Sequence, residues 1–415
     1  MRWFFLSVIV LSCFASSGQR CGADEGFKEL LKKDPALIDK LKNLGNLSGL
    51  NRPVGTNETF IIPVVFHVLY LDSSEVSEID IRLCLKDLND NFGKKNLHFN
   101  EIIPEFKGIA DSAGIRFVLA SKDPAGNCTS GINFYEDPAA NWEELSPTNF
   151  SHTWNSRQYL NVYVPQSVKK ADGSYIGGYA YLPGSLPPGD QRDAIVVSGN
   201  LLKNGENLFY GKETLTHELG HWFGLLHVFG YVNEAQIDCY GDDYVSDTPP
   251  TRGFYECPVS QKDYQFCQPG VSENFQNFMD YSYCRMMFTQ GQTQRMRNVL
   301  TSTIRNNLWT SENLAFTGGA EPLRPCVTNI NLNVFPNPSA LKTNITFELP
   351  YAQTVVMNLM DLDGRIVFED KIGATAGWNL YNLSLAEIPQ GIYILRIKTS
   401  AGTSTMKLLV RRGFF

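Results

Sequence analysis

The sequence predicts a mixed α/β domain followed by a separate all-β sandwich, and three observations carry that prediction. A continuous apolar run, Phe60–Tyr70, has the character of a strand buried on both faces, and strand and helix patterns mix after it. A helical pattern bearing His217, Glu218 and His221 comes directly after the last of those strands. Beyond Glu312 the chain turns rich in Gly, Pro and Thr, then breaks into short alternating runs separated by turn signals.

The elements follow in order. Met1-Arg2, the apolar stretch Trp3–Phe14 and the small residues Ala15-Ser16-Ser17 read as a secretory signal peptide over 1–17, too short to anchor in a membrane. A lipoprotein signal ending at Cys13 is the competing reading, which Val10-Leu11-Ser12 fits only loosely. Residues 18–51 are charged, with helical spacing at Phe27, Leu30, Leu31, Leu37, Ile38 and Leu41; too short to fold alone, they read as a pro-segment. The main domain is expected over 52–312. Ser77 opens a helix, with Asp80 in its first turn and apolar residues at Ile81, Leu85, Leu88 and Phe92. Strands are expected at 115–120, 158–164, 178–182 and 194–198, and the histidine-bearing helix near 212–225. Residues 313–328 read as a linker. From 329 to 415 strands are expected at 331–335, 344–348, 354–361, 365–371, 393–399 and 404–411, with turns at Pro336-Asn337-Pro338 and Asp363-Gly364. This last region has no histidine and no clustered carboxylates suited to catalysis, so attachment, sorting or binding is its expected role.

Composition bounds the function. A net charge of −7 over 415 residues, with no basic stripe, argues against nucleic-acid binding. No second segment reaches membrane-spanning length, so the mature protein is expected to be soluble and, by default, a monomer. Of nine cysteines, eight remain once the signal peptide with Cys13 is removed, an even number that favours disulfides in an exported chain. Cys239, Cys257, Cys267 and Cys284 cluster downstream of the histidines, and four cysteines allow three pairings among which spacing does not choose.

The run from His217 to His227 carries the chemistry. Histidines four apart lie on one helix face, so His217 and His221 reach one metal ion. Glu218, rotated by roughly 100° from His217, is placed to take a proton from water held by that ion. His227 could face the same ion only if the helix ended first, and Gly224 supplies that break, because glycine tolerates positive φ. Three nitrogen ligands and one open position describe a catalytic rather than a structural zinc site. The bland reading is an ordinary helix, but a chance match to the long motif in such a chain has odds at or below roughly 10⁻⁴. Three of the six histidines lie here; His67, His98 and His152 are isolated and read as core or surface residues.

This HExxHxxGxxH run resembles the metzincin zinc endopeptidases, and Asn277-Phe278-Met279-Asp280-Tyr281 is similar to their Met-turn. Trp222, the stretch from Cys239 through Gly241-Asp242 and Val245-Ser246-Asp247-Thr248-Pro249, and Cys284 with Met287-Phe288-Thr289-Gln290-Gly291-Gln292 and Arg295-Met296 resemble the pappalysin family. The resemblance covers roughly 52–312. It implies a metzincin-type α+β domain with a twisted mixed sheet, His217, His221 and His227 as zinc ligands, Glu218 as general base toward zinc-bound water, and Tyr281 as stabiliser of the tetrahedral oxyanion. Met279 is packing in either reading. The resemblance further implies the pairs Cys239–Cys267 and Cys257–Cys284, and a calcium site around Asp242, Asp243, Val245, Asp247 and Thr248, against the plain reading of a solvated acidic loop. Arg20-Cys21-Gly22 resembles a cysteine switch, in which Cys21 would be a fourth zinc ligand in the latent form; the alternative is that Cys21 pairs with Cys84, Cys128 or Cys326. One departure concerns the pocket: Tyr281-Ser282-Tyr283-Cys284 lacks the carboxylate that precedes the cysteine in arginine-preferring relatives, which leaves an apolar or mixed preference equally open.

The last ~85 residues resemble the C-terminal sorting domain of bacterial type IX secretion substrates, through Val334-Phe335-Pro336-Asn337-Pro338, Asp361-Leu362-Asp363-Gly364-Arg365, Gly391-Ile392-Tyr393 and Lys407 with Arg411-Arg412. That implies recognition by the secretion machinery and a secreted or cell-surface location, where sequons such as Asn57-Glu58-Thr59 carry little meaning. The expected function is therefore a secreted zinc endopeptidase acting on protein or peptide substrates bound along 178–182. The rivals are an inactive zinc-containing adhesin, against which Glu218 argues, and an enzyme acting on a non-peptide amide or ester, against which the Met-turn argues.

Overall fold

A computed structural model describes residues 59–72, 76–146, 149–202, 208–230, 239–320, 330–349, 352–399 and 402–412, with 21–22, 27–28, 30–32, 34–39 and 42 of the N-terminal segment. The expected signal peptide (1–17), with Cys13, and Cys326 lie outside the described residues.

The apolar run forms the central strand β1 (Phe60–Tyr70). Its first half pairs in parallel with β2 (Ile115–Leu119) and its second half with β3 (Ile132–Glu136). Its other side takes β4 (Leu160–Val164), and the sheet ends in β5 (Gly178–Ala180), antiparallel to β6 (Ile195–Val197). Because side chains alternate along a strand, Val64, Phe66 and Val68 face one core with Val162, Ile195 and Val197, while Leu69, Tyr163 and Val196 face a second.

Helices cover the first face. Helix α1 (Glu78–Phe92) begins at Ser77, which shares a capping box with Asp80, and buries Ile81, Leu85, Leu88 and Phe92. Against it packs α2 (Leu208–Trp222) through Leu215 and Leu219, with Phe223 just past its end, followed in sequence by α3 (Gln290–Thr301). Helix α2 ends three residues earlier than the periodicity predicts, for a reason that belongs to the site below. The expected strand 178–182 closes at Ala180, whose partner Ile195 is the first residue of β6.

The domain boundary needs correction. Residues placed at the start of the linker instead form α4 (Ser311–Thr317), capped by the Thr310 hydroxyl and tied down where the Thr317 carbonyl accepts from Ser121 and Lys122, each at 3.1 Å. Asn313 donates to the Gln158 carbonyl at 2.9 Å. These bonds place residues up to Ala320 with the main domain.

The C-terminal region is a β-sandwich of two antiparallel sheets. One contains Asn333–Phe335, Lys342–Leu349 and Gly377–Ser384; the other contains Ile366–Ala374, Gln353–Met360, Gly391–Thr399 and Gly402–Val410. Alternate residues such as Ile345, Phe347, Leu395 and Ile397 fill the layer between them. Strand Gly377–Ser384 escaped the sequence reading, because its Asn379 and Asn382 break up the apolar alternation.

One polar lock holds the end of α2. The Trp222 indole donates to Asp193 Oδ1 at 2.8 Å, and the Arg305 guanidinium spans both Asp193 oxygens at 2.7 Å while stacking 3.4 Å above the Trp222 ring. Arg305 is buried, so removing its counter-charge leaves an uncompensated cation. Asp193→Ala is expected to cost about 3 kcal/mol of stability, read as a lower denaturation midpoint at unchanged m-value; a loss under about 1 kcal/mol would show the lock to be dispensable.

Candidate metal centre

The end of α2 builds the site. Gly224 takes φ +87°, and its N–H donates to the His221 carbonyl at 2.8 Å while that of Leu225 donates to the Gly220 carbonyl at 2.9 Å. This is a Schellman termination with glycine in the left-handed position. It stops the helix one residue after His221 and swings the chain back so that His227 returns to the same point. The Leu225 carbonyl that the turn exposes then accepts the His221 Nδ1 proton at 2.9 Å.

A second turn orients the other helical histidine. Residues 277–281 run beneath the triad, fixed by reciprocal amide bonds between Asn277 and Gln292 at 2.8 and 3.1 Å. The Phe278 carbonyl accepts from His217 Nδ1 at 2.7 Å, and the Met279 carbonyl accepts the Val228 N–H at 3.2 Å. Met279 is wholly buried and sits where a Cβ on Gly220 would collide with its Sδ, so the glycine lets helix and turn approach.

Carbonyls accept only, so both imidazoles must carry their proton on Nδ1 and present a lone pair at Nε2. Yet the three Nε2 atoms converge: His217 to His221 at 3.2 Å, His217 to His227 at 3.0 Å and His221 to His227 at 3.1 Å. Burial, and then the neighbouring imidazoles, hold His217 and His221 well below the usual histidine range, which keeps them neutral. Two lone pairs aimed at each other inside a buried pocket repel unless a cation lies between them, so the donor set fits a zinc ion.

The base and the N-terminal segment meet here. Glu218 is 1% exposed. The Cys21 thiol donates to its Oε2 at 3.3 Å, and the Cys21 sulfur and the three histidine nitrogens all lie within 4.8 Å of one another. Cys21 and Cys84 are thiols, whereas Cys128 is disulfide-bonded, so the alternative of a Cys21–Cys84 or Cys21–Cys128 bond does not hold in this structure. Cys21 pairs with Gly178 on β5, where the Gly22 N–H donates to the Gly178 carbonyl at 3.0 Å. Phe27 and Leu37 pack on Leu182 and Leu226, so the N-terminal segment lies over the sheet edge expected to bind peptide.

Around the triad, Tyr281 meets the His227 ring edge to face, with centroids 4.7 Å apart. Disulfides join Cys239 to Cys267 and Cys257 to Cys284. Of the expected calcium ligands, Asp243, Val245 and Thr248 meet: the Thr248 hydroxyl lies 2.6 Å from both Asp243 Oδ1 and the Val245 carbonyl. Asp247 has a second set of contacts. Its carboxylate accepts from the Thr289 hydroxyl at 2.7 Å and the Gly291 N–H at 2.8 Å, so it serves the start of α3, where negative charge is favoured. Asp242 accepts from the Tyr244 N–H at 2.7 Å. Sequence reasoning passed over Glu213, Thr214 and Arg285, which line or border the same cavity; Arg285 directly follows Cys284, but nothing in its spacing marked it.

Neutral imidazoles converging beside a buried carboxylate make up the site of a metallohydrolase, and comparison with known proteins agrees. Residues 145–301 match the peptidase family described as pregnancy-associated plasma protein-A, and residues 333–411 match the secretion system C-terminal sorting domain. A promirolysin mutant of Tannerella forsythia superposes with TM-score 0.61 at 30% identity, over 70% of this chain and 97% of that one. Mature mirolysin of the same organism, in complex with a cleaved peptide, gives TM-score 0.55 at 31% identity over 63% and 98%. Extracellular metalloprotease 1 of Coccidioides posadasii is 40% identical over 149 residues, which are 34% of this chain and 49% of that protein. The extracellular metalloprotease of Uncinocarpus reesii is 39% identical over 34% and 47%. The chain thus spans about half the length of the curated relatives it matches. It belongs to the pappalysin family of metalloproteases, and its sorting domain marks it as secreted or cell-surface. Among the described residues no helix is long and apolar enough to cross a membrane.

The turn under the triad also titrates. Asp280 is wholly buried, with its Oδ1 accepting from Phe254 and Ser282 N–H groups at 3.1 and 2.9 Å, and burial pushes its carboxyl up to about 8. The folded state holds this proton more tightly than the unfolded chain, so the contribution is full below the ordinary carboxylate range near 3.8 and is lost as pH rises through about 8. Asp280→Asn keeps the Oδ1 acceptor and cannot ionise. Its unfolding free energy should fall less than wild type between about pH 5 and 8; parallel pH profiles would contradict the assignment.

Proposed function

We propose that the chain is a zinc-dependent endopeptidase of metzincin type, made latent by its N-terminal segment. The observation that carries this is the set of two Nδ1-protonated imidazoles whose Nε2 lone pairs converge with that of His227. His217, His221 and His227 would hold the ion. When bound, zinc supplies Lewis acidity, which acidifies water and polarises a carbonyl oxygen.

The chain's own groups do the rest. Glu218 takes the proton of the attacking water on Oε2, the atom that Cys21 now contacts, and returns it to the leaving amine nitrogen. Tyr281, against the ring of His227, donates its phenol proton toward the oxyanion as charge develops. The extended substrate adds to β5, whose Gly178 carbonyl already accepts a backbone N–H from Gly22. Gly178 also lets this strand lie against β6, since a Cβ there would strike the Val196 carbonyl oxygen, and it would crowd the Glu218 side chain.

Latency follows from the same contacts. Cys21 fills the space beside Glu218 and Gly22 occupies the strand edge, so water and substrate are both kept out until the segment is removed. A calcium ion held by Asp243, Val245 and Thr248 would brace the cysteine-rich loop. In support, Asp243 is buried with Oδ2 lacking a hydrogen-bond partner among the described residues, and burial pushes its carboxyl up to about 7.

The tests are direct. Protein activated by limited proteolysis should cleave denatured casein or gelatin, and a chelator should stop it. Glu218→Ala should lower kcat at least about 100-fold, as loss of a general base does; cleavage that persists in that variant or with chelator present would overturn the assignment. A Cys21→Ala precursor should cleave more than the unprocessed parent and less than the processed enzyme, because Gly22 still occupies the strand edge; one as silent as the parent would remove Cys21 from the latency mechanism.

A further inference from the structure

The cavity beside the triad contains a charged group that the proposed reaction leaves unused. Arg285 follows Cys284, is 8% exposed, and with Thr214, His217, Glu218 and Tyr281 lines a cavity of about 10 Å³ that Cys21 closes in the latent form, so that removing the N-terminal segment opens it. A guanidinium carries five N–H donors in a fixed fork, and here they are poorly used. One Nη reaches the Asp280 carbonyl at 3.4 Å, the other lies 3.7 Å from Glu213 Oε2, and Nε has no hydrogen-bond partner among the described residues. The first is a long bond and the second is beyond hydrogen-bond range.

We propose that Arg285 makes this enzyme select aspartate or glutamate at the residue flanking the scissile bond whose side chain enters the cavity. The inference rests on the peptidase reading above. A carboxylate of the right reach would accept two parallel N–H bonds from the fork, the strong form of such contacts. Glu213 and Asp280 do not compete for the charge near neutral pH, because burial pushes both carboxyls up to about 8; Glu218, on the same cavity, is engaged by the Cys21 thiol in the latent form. A lysine or arginine side chain would meet a like charge in a buried site, so the same residue that attracts acids repels bases.

The test uses the full chain, zinc-loaded and activated by limited proteolysis. Cleavage of a peptide library should show enrichment of Asp and Glu at one position flanking the cut bond and depletion of Lys and Arg there. For peptides differing only by Glu or Gln at that position, kcat/KM should favour Glu by about tenfold or more, the effect of a charge-assisted hydrogen bond. Arg285→Gln should bring that ratio close to one, and Arg285→Lys should retain part of it. If either variant fails to fold, the wild-type ratio decides alone. Chelator-sensitive cleavage with a Glu-to-Gln ratio near one overturns the role of Arg285. Absence of any chelator-sensitive cleavage overturns the peptidase reading, and this inference with it.

Discussion

Everything at this site depends on keeping protons off the inward-facing nitrogens of the two helical histidines. A protonated Nε2 on His217 or His221 would repel a cation, and the protein prevents it by giving each ring a carbonyl on its far side. Those carbonyls belong to two turns. One is the glycine-terminated end of the histidine helix; the other is the buried turn containing Met279. The same Gly224 that stops the helix therefore brings His227 into position and exposes the Leu225 carbonyl that sets the tautomer of His221.

The rest of the fold holds those two turns at a fixed separation. Gly220 allows Met279 to pack directly under the helix, and the Asn277–Gln292 amide pair ties the turn to α3. On the opposite side, Asp193 and Arg305 clamp Trp222, the residue after His221. The sheet contributes the edge strand β5, where the Val196 carbonyl of β6 leaves room only for glycine at 178. Stability and reactivity are separable here: the lock on Trp222 touches no reacting atom, whereas Glu218 and Arg285 border the cavity itself.

Much of this was legible in the sequence because it is local. Ser77 with Asp80 announces a helix start, Phe60–Tyr70 announces a buried strand, and His217 and His221 share a face at helical spacing. Gly224 is readable as a break from its residue type alone. What escaped is long-range. The sequence does not reveal that the chain brings Thr289 and Gly291 to Asp247 from 42 and 44 residues away. Residues 313–320 look like a linker by composition, but Thr317 and Asn313 find partners on strands and loops 155 residues or more earlier. Arg285 carries no signal at all until the fold sets it beside His217 and Tyr281.

The claim that three imidazoles converge to hold zinc is tested most directly by X-ray absorption at the zinc edge on the full, unprocessed chain. The account predicts one zinc per chain, with three imidazole nitrogens at about 2.0–2.1 Å and one sulfur at about 2.3 Å. A chain that retains no stoichiometric zinc, or a shell without imidazole scattering, would contradict it.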